Sequence, residues 1–399
     1  MGTSVSQRVL YIFPLAINLT IHWVDRVKWV AALGAEVHVA VPDDPVLDEL
    51  DLEGITLHRI NAPRNRLRFL YDISLIKEIP RVIRAVRPDL LHAATTRPVL
   101  YAGFFGRLFG VRAVVLSVTG LGYLFIGQSL AVRAMRTIAS ISYRFVLKQK
   151  NSVTIFENGN DRDVFLQNGY VNEDQTFVLV GGGVDLEKYV HTLEPETKKP
   201  IVVLAGRLLR DKGVVEFYEA AKTLKLRGVQ ARFVLVGDVD PGNPATLASK
   251  TIKDWVETGH IEWWGWRKDM IEVYQQCSLF CLPSYREGAP RTIIEAAAIG
   301  RATVATDVPG CRDVVVDGVT GRLVPAKAVG PLADALQELI EDAPTRREMG
   351  TAARRYAERS FSNQTRAKEL VNIYENLLEK PLVDTSDDAE SPVKAQSVS

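Results

Sequence analysis

The chain has 399 residues, 47 % of them hydrophobic, and a formal net charge of +1. That length and apolar content suffice for two cores of ordinary domain size, so two domains are expected. The near-neutral charge excludes a general polyanion binder and argues against nucleic acid as a partner. The three cysteines, Cys277, Cys281 and Cys311, lack C-x2-C spacing, which excludes a disulfide framework or zinc signature and fits a reducing cytoplasm.

Val9 to Ile17 reads as a first strand and not a signal-peptide core, because a single basic residue, Arg8, precedes it and no small-residue cleavage site follows. The short Met1 to Ser6 match to a myristoylation pattern is set aside as chance. No stretch reaches the roughly eighteen uncharged apolar residues needed to cross a bilayer. Strands are expected at Arg8 to Pro14, Glu36 to Val41, Ile55 to Ile60, Asp89 to Ala93 and Ala113 to Val118. Helices between them are expected at Thr20 to Leu33, Ile73 to Val86 and Pro98 to Phe109. A helix at Ser129 to Lys148 and strands at Ser152 to Phe156 and Phe177 to Val180 complete a first domain, 1–186. Residues 187–200, with prolines and charges, read as a linker.

The alternation restarts in a second domain, 201–360, with strands at Ile201 to Gly206, Arg232 to Gly237, Ile261 to Gly265, Leu279 to Pro283, Ala302 to Thr306 and Gly321 to Pro325. Strand and helix alternating at short loop lengths predict two doubly wound parallel sheets, each with its ligand site at the carboxyl ends of its strands. A final helix occupies 361–380, and 381–399 has the composition of a disordered tail.

The chemistry concentrates in two loops of the second domain. Leu279 to Pro283 feeds Ser284-Tyr-Arg-Glu287-Gly288-Ala289-Pro-Arg-Thr-Ile-Ile-Glu295, a strand-to-helix turn carrying two carboxylates eight residues apart. Backbone N–H groups at such a turn favour phosphate. Glu295, about two turns deeper, could reach a ribose whose diphosphate lies at the helix start. A carboxylate accepts from two ribose hydroxyls at once. Leu204-Ala-Gly-Arg207-Leu-Leu-Arg-Asp-Lys212-Gly213 is a second strand, basic loop and helix start, whose Arg207 and Lys212 could hold that diphosphate and the charge growing on it as it departs. Glu262-Trp263-Trp264-Gly265-Trp266-Arg267 adds an aromatic-rich strand end. Asp238-Val-Asp240 reads as a capping turn and not as a D-x-D metal site.

The E-x7-E spacing of Glu287 and Glu295, with the Arg207 and Lys212 loop before it, resembles the donor site of the family-4 retaining glycosyltransferases of GT-B fold. The resemblance implies an α/β protein of two Rossmann-like domains facing across a cleft, the first binding acceptor and the second a nucleotide-sugar. It implies catalytic roles for Glu287, Arg207 and Lys212, and donor contacts from Glu295, Gly288, Ala289 and Arg267, with backbone groups of Arg267 at the base. The last helix would return to the first domain. Gly310 to Asp313 and Asp317 to Gly321 match the loops that close the donor pocket. No metal or other cofactor is expected, the nucleotide-sugar being a substrate and the two cations serving its diphosphate.

The first domain departs from the family: the glycine-rich turn and histidine that many relatives carry are replaced by Pro14 to His22, and a His-Gly pair by Thr119-Gly120. Together with Asn158 to Phe165 and the turn Asp240 to Pro244, the Thr119-Gly-Leu-Gly122 sequence resembles the branch that extends polyprenyl-diphosphate-linked oligosaccharides. His92, Thr119 and Gly120 are candidate acceptor or sugar contacts, with a core position the alternative for His92. No acid falls between Asp89 and Glu157, whereas Arg133, Arg136 and Arg144 lie among apolar residues, a pattern suited to an anionic membrane surface. The expected activity is transfer of a hexose or N-acetylhexosamine, with UDP the favoured carrier, to a lipid-diphosphate-linked saccharide on the inner face of the cell membrane. A soluble acceptor, a nucleotide-sugar epimerase and a non-catalytic scaffold stay open.

Overall fold

The computed structural model describes residues 6–62, 68–120 and 140–382. It divides into two compact units. The first takes the described residues up to Phe156, Arg162–Leu179 and those from Ala367 on; the second takes Glu157–Asp161 and Val180–Arg366.

Strands β1 (Arg8–Ile12), β2 (Glu36–Pro42), β3 (Ile55–Ile60), β4 (Leu90–Ala94), β5 (Ala113–Val118), β6 (Ser152–Phe156) and β7 (Thr176–Val178) form the first unit's sheet in the order β3-β2-β1-β4-β5-β6-β7. All neighbours pair parallel. Strands β4 and β5 are buried along their whole length, mostly Val, Leu and Ala with His92 and Ser117 among them, as expected when helices cover both faces. One face packs against helices Arg68–Val86 and Thr96–Leu108 through residues such as Ile79, Val99 and Ala102. The other packs Trp23, Val27 and Val30, together with Leu370, Ile373 and Tyr374 from the last helix, Asn363–Leu378.

Several elements differ from the sequence reading. The helix expected from Thr20 begins at Ala16 and passes through a π-turn, Leu19–Trp23, before Val24–Ala32; Leu19 and Trp23 are both buried at its two ends. Edge strand β7 stops two residues short of the expected Val180. Residues 187–200, expected as a linker, belong to the second unit. Tyr189 is buried, Thr192 N–H donates to Ile299 O, and Glu194 forms a 2.5 Å ion pair with Arg346 in which both side chains are more than nine-tenths buried. The Pro and charge content that suggested a linker marks a segment fixed on a surface.

The second unit's sheet runs β10-β9-β8-β11-β12-β13 from β8 (Ile201–Ala205), β9 (Arg232–Val236), β10 (Glu262–Trp263), β11 (Leu279–Leu282), β12 (Ala302–Thr306) and β13 (Gly321–Val324). Strand β10 is shorter than expected because it lies at the edge, although Trp264 N–H and Gly265 O continue backbone bonds to Leu235 and Gly237. The chain winds outward in both directions from β8 and β11, which are adjacent and parallel, Leu279 beside Val202 and Phe280 beside Val203. The loops leaving these two strands therefore open side by side, where doubly wound sheets bind ligands.

Candidate functional site

The loop after β8 carries Arg207 and Lys212; the loop after β11 carries Ser284 to Pro290. Two features lock them together. Gly213 has φ +70°, and a Cβ there would lie 2.0 Å from Pro283 O, so only glycine permits this approach. Tyr285 N–H donates to Asp211 O at 2.8 Å. The Lys212 ammonium thereby reaches Glu287 Oε1 at 2.5 Å, and Ser284 Oγ donates to the same oxygen at 2.7 Å. Both charged side chains are mostly buried, 23 % exposed for Lys212 and 11 % for Glu287. From the far side, Glu287 N–H donates to Pro309 O, and Gly310 (φ +84°) packs where a Cβ would stand 2.6 Å from both Glu287 O and Gly288 O. Gly310 N–H in turn donates to Asp313.

Helix Arg291–Ile299 starts directly after this loop. Glu295 is 6 % exposed and so is not a solvated surface charge. Its Oε2 accepts from Tyr274 Oη at 2.9 Å and its Oε1 from Arg291 Nε at 2.7 Å. Burial pushes the Tyr274 and Tyr189 hydroxyls well up, and the Glu295 charge beside both adds to it. The second carboxylate is thus held in place by groups of its own unit, with lone-pair capacity remaining on both oxygens. Gly288 and Ala289 lie in the turn between the two acids, Ala289 Cβ facing Gly181.

Arg207 stands apart from this group. Its side chain is 61 % exposed and pairs with Asp240 at 2.9 Å, so Asp240 works as an ion-pair partner within its turn, where its own N–H donates bonds to Thr246. Arg267 is held by Asp269, with Glu272 at 3.6 Å. Of the three neighbouring tryptophans, Trp263 bonds Gly237 O and Trp264 bonds Glu262, while Trp266 is 68 % exposed. All three cysteines are buried, and burial raises each thiol, Cys277 to about 12.

His92 does not face an open cleft, which corrects the reading of an acceptor contact. It is 1 % exposed within the first unit, with Nε2 bonded to Ser117 Oγ at 2.7 Å and Nδ1 bonded to Tyr374 Oη. Its ring meets Trp23 edge-on at 4.8 Å. Burial, helped by the Arg26 charge, holds it well below its ordinary value, so it is a neutral core residue. Strand Leu90–Ala94 is buried on both faces, so a histidine in it takes a core place. Thr119 and Gly120 follow β5 half-buried, Gly120 at φ +111°. Arg144 is exposed and donates to Asn168 O at 3.0 Å; Arg133 and Arg136, like the 383–399 part of the tail, lie outside the described residues.

Several participants escaped the sequence reading. Arg291 sits four residues before Glu295, a spacing that signals a helical ion pair. Tyr274 and Ser284 give no such signal. Asp161, fully buried, pairs with Arg286, the residue before Glu287, across 125 positions; burial raises its carboxyl, the Arg286 charge opposing.

A family model for glycosyl transferases group 1 matches residues 172–356, and one described as glycosyl transferase 4-like matches 8–156. Over 355 residues the chain is 27 % identical to the N,N'-diacetylbacillosaminyl-diphospho-undecaprenol alpha-1,3-N-acetylgalactosaminyltransferase of Campylobacter jejuni, spanning 86 % of this chain and 92 % of that one. It is 23 % identical to the UDP-Gal:alpha-D-GlcNAc-diphosphoundecaprenol alpha-1,3-galactosyltransferase of Escherichia coli, over 75 % of this chain and 78 % of that one. Among solved structures, a glycosyltransferase from Rickettsia africae superposes with a TM-score of 0.75 at 18 % identity, covering 94 % of this chain and 99 % of that one. Anabaena HepE in complex with UDP gives 0.73 at 18 %, covering 92 % and 100 %; likeness at this identity shows the shared fold. The architecture is GT-B, two parallel-sheet α/β domains. Residues 8–156 thus match a glycosyl transferase 4-like domain and residues 172–356 a group 1 glycosyl transferase domain, in that order along the chain.

Proposed function

We propose that this glycosyltransferase moves a hexose or N-acetylhexosamine from a nucleoside-diphosphate sugar, UDP being the favoured carrier, to a polyprenyl-diphosphate-linked saccharide with retention of anomeric configuration. The observation that carries the reading is the Lys212–Glu287 pair beside the start of helix Arg291–Ile299, with Glu295 about one turn along it. A bound diphosphate offers Lys212 a partner in place of Glu287, freeing that carboxylate for the donor sugar. Arg207, exposed and paired with a turn aspartate, can swing to the same phosphates. Two cations there supply the charge neutralisation that a divalent metal would otherwise bring.

For retention we favour departure and attack on one sugar face. The acceptor hydroxyl attacks the anomeric carbon as the glycosyl–phosphate bond breaks, and the leaving phosphate oxygen takes the hydroxyl proton. Glu287 stabilises the positive charge that develops on the sugar, and Glu295 accepts from the ribose hydroxyls. The lipid-linked acceptor is supported by relatives matched over most of their length, whose names specify undecaprenyl-diphosphate saccharides.

Such an acceptor implies attachment to the inner membrane face, and no described helix is long and apolar enough to cross a membrane. The first unit exposes Phe104, Leu108, Ile141 and Phe145 among cations, Arg107 lying 4.3 Å over the Phe145 ring. Apolar side chains ringed by arginines suit anionic lipid.

The test screens UDP- and GDP-sugars with a lipid extract as acceptor source, following nucleoside diphosphate release and the product's anomeric configuration by NMR, with and without EDTA. Lipid-dependent release, retained configuration and indifference to EDTA are expected. Inverted product or EDTA-sensitive turnover overturns the mechanism, and sugar rearrangement without acceptor would mark an epimerase. Turnover with a water-soluble acceptor only would remove the lipid-linked substrate, and no release with any donor would mark a scaffold.

A further inference from the structure

Residues 157–161 follow β6 directly in sequence yet belong to the second unit. Two of them grip the loop that carries Glu287. Asn158, fully buried, accepts from Asp161 N–H at 2.8 Å through its Oδ1, capping the helix Gly159–Gln167, while its Nδ2 donates to Gly288 O at 3.0 Å. Asp161 receives the Arg286 guanidinium on Oδ1. Arg286 and Gly288 flank Glu287 on either side, so both neighbours of the acid are tied to one rigid helix start.

The ties matter most when substrate is present. In the structure Glu287 is steered by Lys212 and Ser284. A donor diphosphate competes for Lys212, leaving Ser284 and the two flanking anchors to aim the carboxylate. A buried carboxylate gripping a guanidinium is a costly arrangement that persists only when geometry is tightly specified.

We propose that Asn158 and Asp161 form a clasp which, by holding Gly288 and Arg286, sets the Glu287 carboxylate against the donor sugar. This rests on the reading of Glu287 given above. Asp161, Asn158 and Arg286 are positioning residues: they act through the loop and leave the binding of the nucleotide part to the Lys212 and Glu295 regions.

The experiment compares Asp161→Asn, Asn158→Ala, Arg286→Lys and Glu287→Gln, singly and with Asp161→Asn combined with Glu287→Gln. The readouts are kcat and KM for the UDP-sugar that the wild type turns over, UDP affinity by calorimetry, and amide exchange at residues 284–289. Displacing a reacting group by an ångström costs on the order of a hundredfold. Asp161→Asn and Asn158→Ala are therefore expected to lower kcat by about tenfold to a hundredfold. Their UDP affinity stays within about twofold, exchange quickens at 284–289 while β8 and β11 stay protected, and Arg286→Lys keeps an intermediate kcat. The double variant is no slower than Glu287→Gln alone. Wild-type kcat in Asp161→Asn, or losses that simply multiply in the double variant, overturns the clasp; so does an equal loss of UDP affinity, the mark of a general defect. Wild-type turnover in Glu287→Gln would instead sink the donor-site reading itself.

Discussion

Lys212 and Glu287 form a mostly buried ion pair whose purpose is best tested one side chain at a time. Removing Lys212 strips a preorganised cation from the site of the leaving phosphate, so Lys212→Ala should lower kcat/KM by about a hundredfold to a thousandfold, read from nucleoside diphosphate release. Loss below tenfold would mean that the diphosphate is held elsewhere. His92 makes a different kind of prediction. Its folded pKa lies well below 6.5, so below that pH the unfolded chain takes up a proton that the folded chain refuses. Stability should therefore fall as pH drops under 6.5, with a limiting slope of about 1.4 kcal/mol per pH unit from this residue alone. Denaturant titrations at pH 5 and 7 should show a smaller difference in His92→Gln, which has no such proton to exclude.

At the scale of elements, the site depends on how closely two loops and two helices approach. Gly213→Ala would force a left-handed residue to carry a Cβ into the Pro283 carbonyl, and is expected to destabilise by about 3 kcal/mol in a denaturant titration. A wild-type midpoint would show that the loop can move aside. Arg301 performs a similar task without any carboxylate. Fully buried, it donates to Tyr274 O at 3.0 Å and to Thr192 O at 2.7 Å, with Ile299 O and Gly300 O at 3.3 Å. It thereby collects the carbonyl ends of the helices Met270–Gln276 and Arg291–Ile299, which carry Tyr274 and Glu295. Negative helix ends favour a cation. Arg301→Met removes the donor these buried carbonyls share, leaving Tyr274 O with the Cys277 N–H and Ile299 O with the Thr192 N–H, and an expected loss of about 3 kcal/mol should appear in the same titration.

For the whole molecule, the proposed membrane attachment is the property to measure. Vesicles containing phosphatidylglycerol should pellet the protein at low salt and release it progressively as salt screens the charges. Replacing Phe104 and Ile141 with aspartate, and Arg107 and Arg144 with glutamate, should abolish pelleting while turnover of a detergent-solubilised acceptor persists. Pelleting that ignores both salt and these changes would place the contact on another surface. Much of the architecture was legible beforehand. Strands such as Ala113–Val118, Ser152–Phe156 and Ala302–Thr306 stand where their short, largely apolar and β-branched runs put them, because a parallel strand buried on both faces admits few polar side chains. The short edge strands β7 and β10 were less legible, since at an edge few neighbours enforce the pattern.

By itself, the order of residues determined two doubly wound sheets and the loops that carry Lys212, Glu287 and Glu295, because periodicity and turn chemistry act over a few neighbours. Only the tertiary structure decided which side chains meet. Lys212 touches Glu287, Arg207 goes to Asp240, His92 enters the core and Asp161 grips Arg286. Contacts between residues 75 or 125 positions apart are set by strand order and burial, and no local pattern along the chain encodes them.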